Sequence, residues 1–149
     1  MGGSIFIAML AAVFLWWFST GAILLIVRLM ENHSRSAKLK VCIFGLPILA
    51  VGLWGIWETS SSLTILGSYL AFVSAILVWG WIELTFLTGV ITGPNKSQCP
   101  KNIPLFEKFI RAWGTLAYHE VSLLLALGLV ICLAYGQENY FGIWTFAVL

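Results

Sequence analysis

The chain has 149 residues, of which 60% are hydrophobic and only 9% are charged, and its formal net charge is +2. A soluble domain has about a quarter of its residues charged. The composition therefore excludes a soluble domain, because so few charges would leave large apolar patches in water. Eight scattered Lys and Arg residues also cannot build the basic patch that a nucleic-acid partner requires.

The first apolar run, residues 5–27, contains no charged residue. As a helix it would extend for about 35 Å, which is long enough to cross a bilayer. A cleaved signal peptide begins with basic residues. None precedes this run, so we expect the helix to be retained. The second run, residues 41–57, contains Pro47 and three glycines, which are tolerated within lipid. Both runs are predicted to be transmembrane helices.

The third apolar run, residues 63–91, ends before a Gly-Pro pair, and the fourth, 116–135, ends at the turn-forming sequence 136–139. The fifth, 141–149, stops with no polar cap behind it. A helix ending within lipid leaves carbonyl groups unsatisfied, so we expect these residues to be part of a longer protein. The sequence predicts an all-α, polytopic membrane helix bundle in one domain, with four full transmembrane helices and the start of a fifth.

The basic residues predict the orientation of the chain. All eight lie in two loops, residues 28–40 and 92–115, whereas the other two loops contain none. The positive-inside rule places both basic loops in the cytoplasm and the N-terminus in the periplasm. Within the second loop, residues 105–113 have the pattern of an amphipathic helix and are predicted to lie along the inner leaflet.

Three ionisable residues fall within the predicted spans: Glu83, His119 and Glu120. A carboxylate at the bilayer centre costs at least about 2.5 kcal/mol, which makes it a candidate functional residue. Glu83 and Glu120 lie at similar depths from the cytoplasmic side, so adjacent antiparallel helices would bring them level. The aromatic and polar residues expected at this depth are Trp79, Trp81, Thr85, Trp113 and Tyr118.

Three interpretations of this polar cluster remain open. It can lock helices together by hydrogen bonds; it can be a ligand site in which His119 binds a metal or the magnesium of a chlorin; or it can relay protons or a substrate. The predicted cofactor-binding residues are His119, Glu120, Glu83 and Trp81. A catalytic two-metal site needs at least four ligands, so we assign no catalytic residue and no metal. The cysteines are interpreted as apolar filler: Cys42, Cys99 and Cys132.

Two adjacent tryptophans, Trp16 and Trp17, lie in the middle of the first span, where no water can accept a hydrogen bond from an indole N–H. We predict them to be partner-binding residues that face another helix, a pigment or a partner protein. The alternative is that they pack on Ser, Thr or backbone carbonyl groups of the same bundle.

Seven short motifs follow one another along the chain: FLWWFSTG, GSYLAF, LVWGWIELTFLTG, TGP, CP, YHE and GIWTF. In order and spacing they resemble the photosynthetic complex assembly proteins that purple phototrophic bacteria encode with their reaction-centre genes. Proteins of that family are longer and have further spans. One departure is Ile82, where the family pattern has a histidine before the first glutamate.

The resemblance implies an accessory or assembly factor, not an enzyme, in the bacterial inner, photosynthetic membrane. Its implied partners are lipid and the reaction-centre and light-harvesting antenna polypeptides, with bacteriochlorophyll or carotenoid as the pigments contacted. A sharper hypothesis is that His119 binds bacteriochlorophyll during assembly. The alternative is an intramembrane enzyme or transporter for a tetrapyrrole, an isoprenoid or a small solute, with Glu83, His119 and Glu120 as its polar site.

Overall fold

The computed structural model describes residues 2–93, 100 and 103–149, with side chains from Ile5 onward; Cys99 lies outside these residues. The described part forms six helices: α1 (Gly2–Met30), α2 (Arg35–Phe44), α3 (Leu46–Ser60), α4 (Ile65–Leu87), α5 (Leu105–Ala134) and α6 (Phe141–Val148). Four segments are long and apolar enough to cross a membrane: Ile5–Met30, Arg35–Ser60, Ile65–Leu87 and Leu105–Ala134. The predicted all-α fold is confirmed, and the chain is a multi-pass membrane protein.

The second membrane segment is longer than the predicted span 41–57 and is broken in its middle. It begins at Arg35 because the Ser34 hydroxyl caps the first turn of α2. The basic residues of this turn lower its hydropathy but favour a helix. The break between α2 and α3 lies at Gly45, next to Pro47 in the first turn of α3, where proline has no N–H to donate to the preceding turn.

The third membrane segment, α4, ends at Leu87, earlier than the predicted limit of 91. Gly89 adopts a left-handed conformation with φ of +77°, which reverses the chain after the last helical turn. The N–H groups of Val90 and Ile91 both donate to the Thr85 carbonyl, each at 3.0 Å. Carbonyl groups at the end of the helix are thereby satisfied without further helical residues.

The fourth membrane segment differs from its prediction, because residues 105–113 and the span predicted from 116 form one continuous helix. Gly114 does not interrupt it, and the Arg111 guanidinium supports its first turns by pairing with Glu107 at 2.9 Å. At 1.5 Å per residue α5 is about 45 Å long, more than the hydrocarbon thickness of about 30 Å. The amphipathic stretch therefore continues the axis of the span instead of forming a separate surface helix.

The centre of the bundle is α4, which packs on α3, α6, α1 and α5. Half of its most apolar window is buried, compared with 6% for α1. Small residues permit this central position: Gly67, Ala71 and Ala75 are buried in one stripe. On the facing helix, a Cβ atom at Gly52 would lie 2.9 Å from the Ser74 carbonyl oxygen. The α3–α4 contact is therefore a backbone-to-backbone approach.

Asn139 fastens the end of the bundle where α3 ends and α6 begins. Its side-chain NH₂ donates to the carbonyl oxygens of Thr59 (3.0 Å) and Ser62 (3.2 Å), and its backbone N–H donates to Ser60 (2.9 Å). Its side-chain oxygen accepts from the N–H of Phe141 at 3.0 Å. Because Asn139 is buried, these bonds satisfy groups that water cannot reach, and they fix α6 beside α3.

Candidate functional site

The intramembrane polar site is a pair formed by Glu83 of α4 and His119 of α5. Their closest atoms, Glu83 Oε2 and His119 Nε2, are 3.6 Å apart. Beyond the end of α4, the N–H of Gly93 donates to the Thr115 carbonyl, one turn before His119 in α5, at 2.8 Å. The two contacts together show that the helices run antiparallel, which is the arrangement expected to bring Glu83 level with the start of the fourth span.

The His119 ring is enclosed. It stacks on Phe86 with ring centroids 4.2 Å apart and an interplanar angle of 21°. Its Nδ1 atom is buried and has no hydrogen-bond partner in the described part of the chain, while Nε2 faces the Glu83 carboxylate. Burial blocks access to Nδ1, and the Glu83 carboxylate blocks access to Nε2. Axial ligation of a chlorin by His119 would therefore require Glu83 and His119 to separate.

Glu120 is not part of this pair. Its side chain is exposed, as are those of Tyr118 and Trp113. One residue along a helix is a rotation of about 100°, so Glu120 points in a different direction from His119. The predicted cluster of two carboxylates around one imidazole is reduced to one carboxylate and one imidazole.

Trp81 also points away from the pair, toward the break between α2 and α3. Its indole N–H donates to the Cys42 carbonyl at 3.0 Å, and its ring lies against Gly45, where a Cβ atom would be 3.1 Å from Trp81 Cδ1. The Gly-Leu-Pro sequence could have predicted the break, but nothing in it identifies the donor. Of the remaining residues predicted at this depth, Trp79 and Thr85 are buried in the core.

The indoles of Trp16 and Trp17 do not pack into the bundle. They are 47% and 66% exposed, and neither makes a hydrogen bond within the part of the chain that the structure describes. The nearby hydroxyls of Ser19 and Thr20 donate to the Trp16 backbone carbonyl instead. Within the described residues the bundle leaves both indoles largely uncovered, and the surface that they contact stays a prediction.

An apolar groove runs along another side of α1, and neither tryptophan lines it. It has a volume of about 320 Å³ and lies between α1, the start of α3 and α4, with Phe18, Ile48 and Leu77 among its walls. A second groove of about 360 Å³ follows α1 past Ala8 and Ala12 toward Tyr69. The two grooves show that α1 contacts α4 only in places and presents most of its surface outward.

These surroundings limit the chemistry of the site. The Glu83–His119 pair can hold α4 to α5 and can exchange a proton between a carboxylate and an imidazole. Among the described residues, no three His, Cys, Asp or Glu side chains lie close enough together to hold a metal ion. The sequence gives no signal for the roles of Asn139 and the Cys42 carbonyl, because their hydrogen-bond partners belong to distant elements that only the folded chain brings together.

Comparisons with known proteins give one family and one relative. The family described as "Protein of unknown function (DUF3623)" matches residues 3–149. A protein of Rhodobacter capsulatus named "Uncharacterized 30.4 kDa protein in puhA 5'region" is 44% identical over 140 residues, which are 94% of this chain and 51% of that protein. The chain thus spans about half the length of this curated relative. No solved structure matches the present chain.

Proposed function

This chain belongs to the DUF3623 family, and from that premise we propose that it is a non-enzymatic accessory or assembly factor of the bacterial photosynthetic reaction centre and its light-harvesting antenna. The name of the Rhodobacter capsulatus relative refers to the puhA 5' region. This fits the resemblance of the seven motifs to assembly proteins encoded with reaction-centre genes. In this role the protein lies in the bacterial inner membrane, with reaction-centre and antenna polypeptides as its partners.

The observation that carries the proposal is the exposure of α1. The helix is apolar throughout its span, yet only 6% of its most apolar window is buried by the rest of the described chain. Trp16 and Trp17 stand in the middle of this open face. A large aromatic surface at the centre of a membrane helix is suited to contact with another helix or a pigment.

A physical reason favours a partner over lipid at this face. Lipid chains are as apolar as the helix surface, so transmembrane helices associate through close packing and hydrogen bonds. An indole N–H at mid-bilayer has no acceptor in lipid, and leaving a polar group unpaired there is costly. A partner backbone carbonyl or a pigment carbonyl would supply the missing acceptor.

The same face is our proposed place for pigment contacts with bacteriochlorophyll or carotenoid. The indoles of Trp16 and Trp17 are exposed there, whereas the ring of His119 is stacked on Phe86 and faces Glu83. A flat or extended conjugated molecule therefore has more surface to bind along α1 than at the polar pair.

The test is co-purification of the tagged full-length protein, in mild detergent, from phototrophically grown cells. We expect reaction-centre and antenna polypeptides to be recovered with the wild-type protein. The double variant Trp16→Leu/Trp17→Leu should recover them at least about tenfold less, because loss of aromatic contacts and two indole donors costs more than about 1.4 kcal/mol.

The matched control is Trp54→Leu/Trp57→Leu, which removes two tryptophans of α3 that are 61% and 55% exposed. This variant should retain the partners. Clean recovery of the wild-type protein without photosynthetic polypeptides would contradict the proposal, and equal losses in the two double variants would contradict the role of α1.

A second candidate function, an intramembrane enzyme or transporter for a tetrapyrrole, an isoprenoid or a small solute, is favoured by one observation. This is the Glu83–His119 pair itself, two ionisable groups in contact within the spans. Substitution Glu83→Gln that abolished the cellular function while leaving co-purification intact would favour this candidate over an assembly role.

A further inference from the structure

Three helices border an open cavity of about 400 Å³ at the end of the bundle where α1 ends and α2 begins. Arg28 of α1 and Lys38 of α2 line it, together with Glu31 from the turn between the two helices. The remaining walls include apolar side chains of α1 and of Leu87, from the last turn of α4. The cavity is therefore cationic at its mouth and apolar at its sides.

The two cationic groups are available to a ligand. Neither Arg28 nor Lys38 has an ion-pair or hydrogen-bonded side-chain partner in the described part of the chain. Glu31 offsets one of the two positive charges, so the cavity keeps a net charge of +1 when these three side chains are ionised. A singly charged anion would neutralise the cavity.

The cavity is separate from the apolar groove along α1, because the two share no lining residue. On α1 the cavity is lined by Leu24, Val27 and Arg28, and Leu87 of α4 adds a further apolar wall. Leu24 and Arg28 are one helical turn apart, so an apolar wall and a cationic side chain lie close together.

We propose that this cavity binds an anionic glycerophospholipid. The phosphate lies between Arg28 and Lys38, and an acyl chain packs on Leu24 and Val27 of α1. Basic pockets between membrane helices are suited to anionic headgroups, because each Lys or Arg near the surface contributes about 1 kcal/mol of attraction. A zwitterionic lipid would bring its ammonium group toward two cations and gain less. The inference goes beyond the proposed function and does not depend on it.

The test is native mass spectrometry of the purified full-length protein in neutral detergent, with equal amounts of phosphatidylglycerol and phosphatidylcholine added. We expect the first bound lipid to be phosphatidylglycerol in several-fold excess. Arg28→Gln and Lys38→Gln should each weaken phosphatidylglycerol binding about fivefold. The opposite change, Glu31→Gln, should strengthen it, and a variant with impaired folding could not produce that gain.

The matched control is Lys108→Gln, which removes one positive charge from an exposed position of α5, outside the cavity. This variant should bind phosphatidylglycerol as the wild-type protein does. Equal binding of the two lipids, or equal weakening by Lys108→Gln and Lys38→Gln, would overturn the proposal. sn-Glycerol 3-phosphate should not displace the lipid at matched concentration, and displacement would show a soluble-phosphate site instead.

Discussion

Gly52 and Gly128 are both helical glycines, but their surroundings differ. A Cβ atom at Gly52 would lie 2.8 Å from Val78 Cγ2 and 2.9 Å from the Ser74 carbonyl oxygen, whereas one at Gly128 would meet nothing within 4 Å. The first glycine is required by the close approach of α3 to α4. The second has no such neighbour and only weakens its helix.

Gly52→Ala should therefore lower the free energy of unfolding by about 1–3 kcal/mol, because the added methyl group overpacks the α3–α4 contact. Gly128→Ala is the matched control and should raise it by up to about 1 kcal/mol, because alanine is the better helix former. Unfolding of the purified protein from detergent micelles measures both. Similar effects of the two substitutions would contradict the close approach of α3 and α4.

At the scale of helices, two kinds of polar contact join neighbouring elements. The Trp81 indole bridges α4 to the carbonyl group of Cys42 at the end of α2, and the Glu83–His119 pair joins α4 to α5. These contacts lie on different sides of α4, because two positions along a helix correspond to a rotation of about 200°. Each therefore fixes the position of a different neighbour.

A double-mutant cycle tests the contact between α4 and α5. Glu83→Ala and His119→Ala should show a coupling free energy of about 0.6 to 1.7 kcal/mol, the range for hydrogen bonds between membrane helices. The control cycle pairs His119→Ala with Glu120→Ala, where the exposed carboxylate faces away, and its coupling should stay below about 0.5 kcal/mol. A larger coupling to Glu120 than to Glu83 would contradict the observed pair.

At the scale of the whole molecule, the distribution of charge remains the basis for its orientation in the membrane. All eight Lys and Arg residues fall in the loops 28–40 and 92–115. The cavity that contains Arg28 and Lys38 lies at the same end of the bundle as the first of these loops. In the part of the chain that the structure describes, this end of the bundle is therefore cationic, and the loops at the opposite end contain no Lys or Arg.

Fusions to alkaline phosphatase, which is active only outside the cytoplasm, test the orientation. We expect fusions after Ser61 and Gln137 to be active and a fusion after His33 to be inactive, because the positive-inside rule places the basic loops in the cytoplasm. Green fluorescent protein fused at the same positions should give the reverse pattern. Activity after His33 with none after Ser61 would invert the predicted topology.

The sequence by itself determined the helical class and the number of long apolar helices. Lipid offers no partner for backbone N–H and C=O groups, so an uninterrupted apolar run of sufficient length has to be helical. The sequence predicts the ends of the helices less accurately. The basic turn before residue 41 and the amphipathic residues 105–113 extend the helices beyond their apolar parts.

Only the tertiary structure decided which way each side chain faces. The spans are apolar all round, so no amphipathic pattern shows which face is buried; sequence gives the depth of a residue along the helix but not its direction around it. For that reason the sequence places Glu83, His119 and Glu120 at similar depths without distinguishing them. The structure brings Glu83 and His119 to 3.6 Å and leaves Glu120 exposed. The buried role of Asn139 required three elements to meet at one point, which no local sequence pattern encodes.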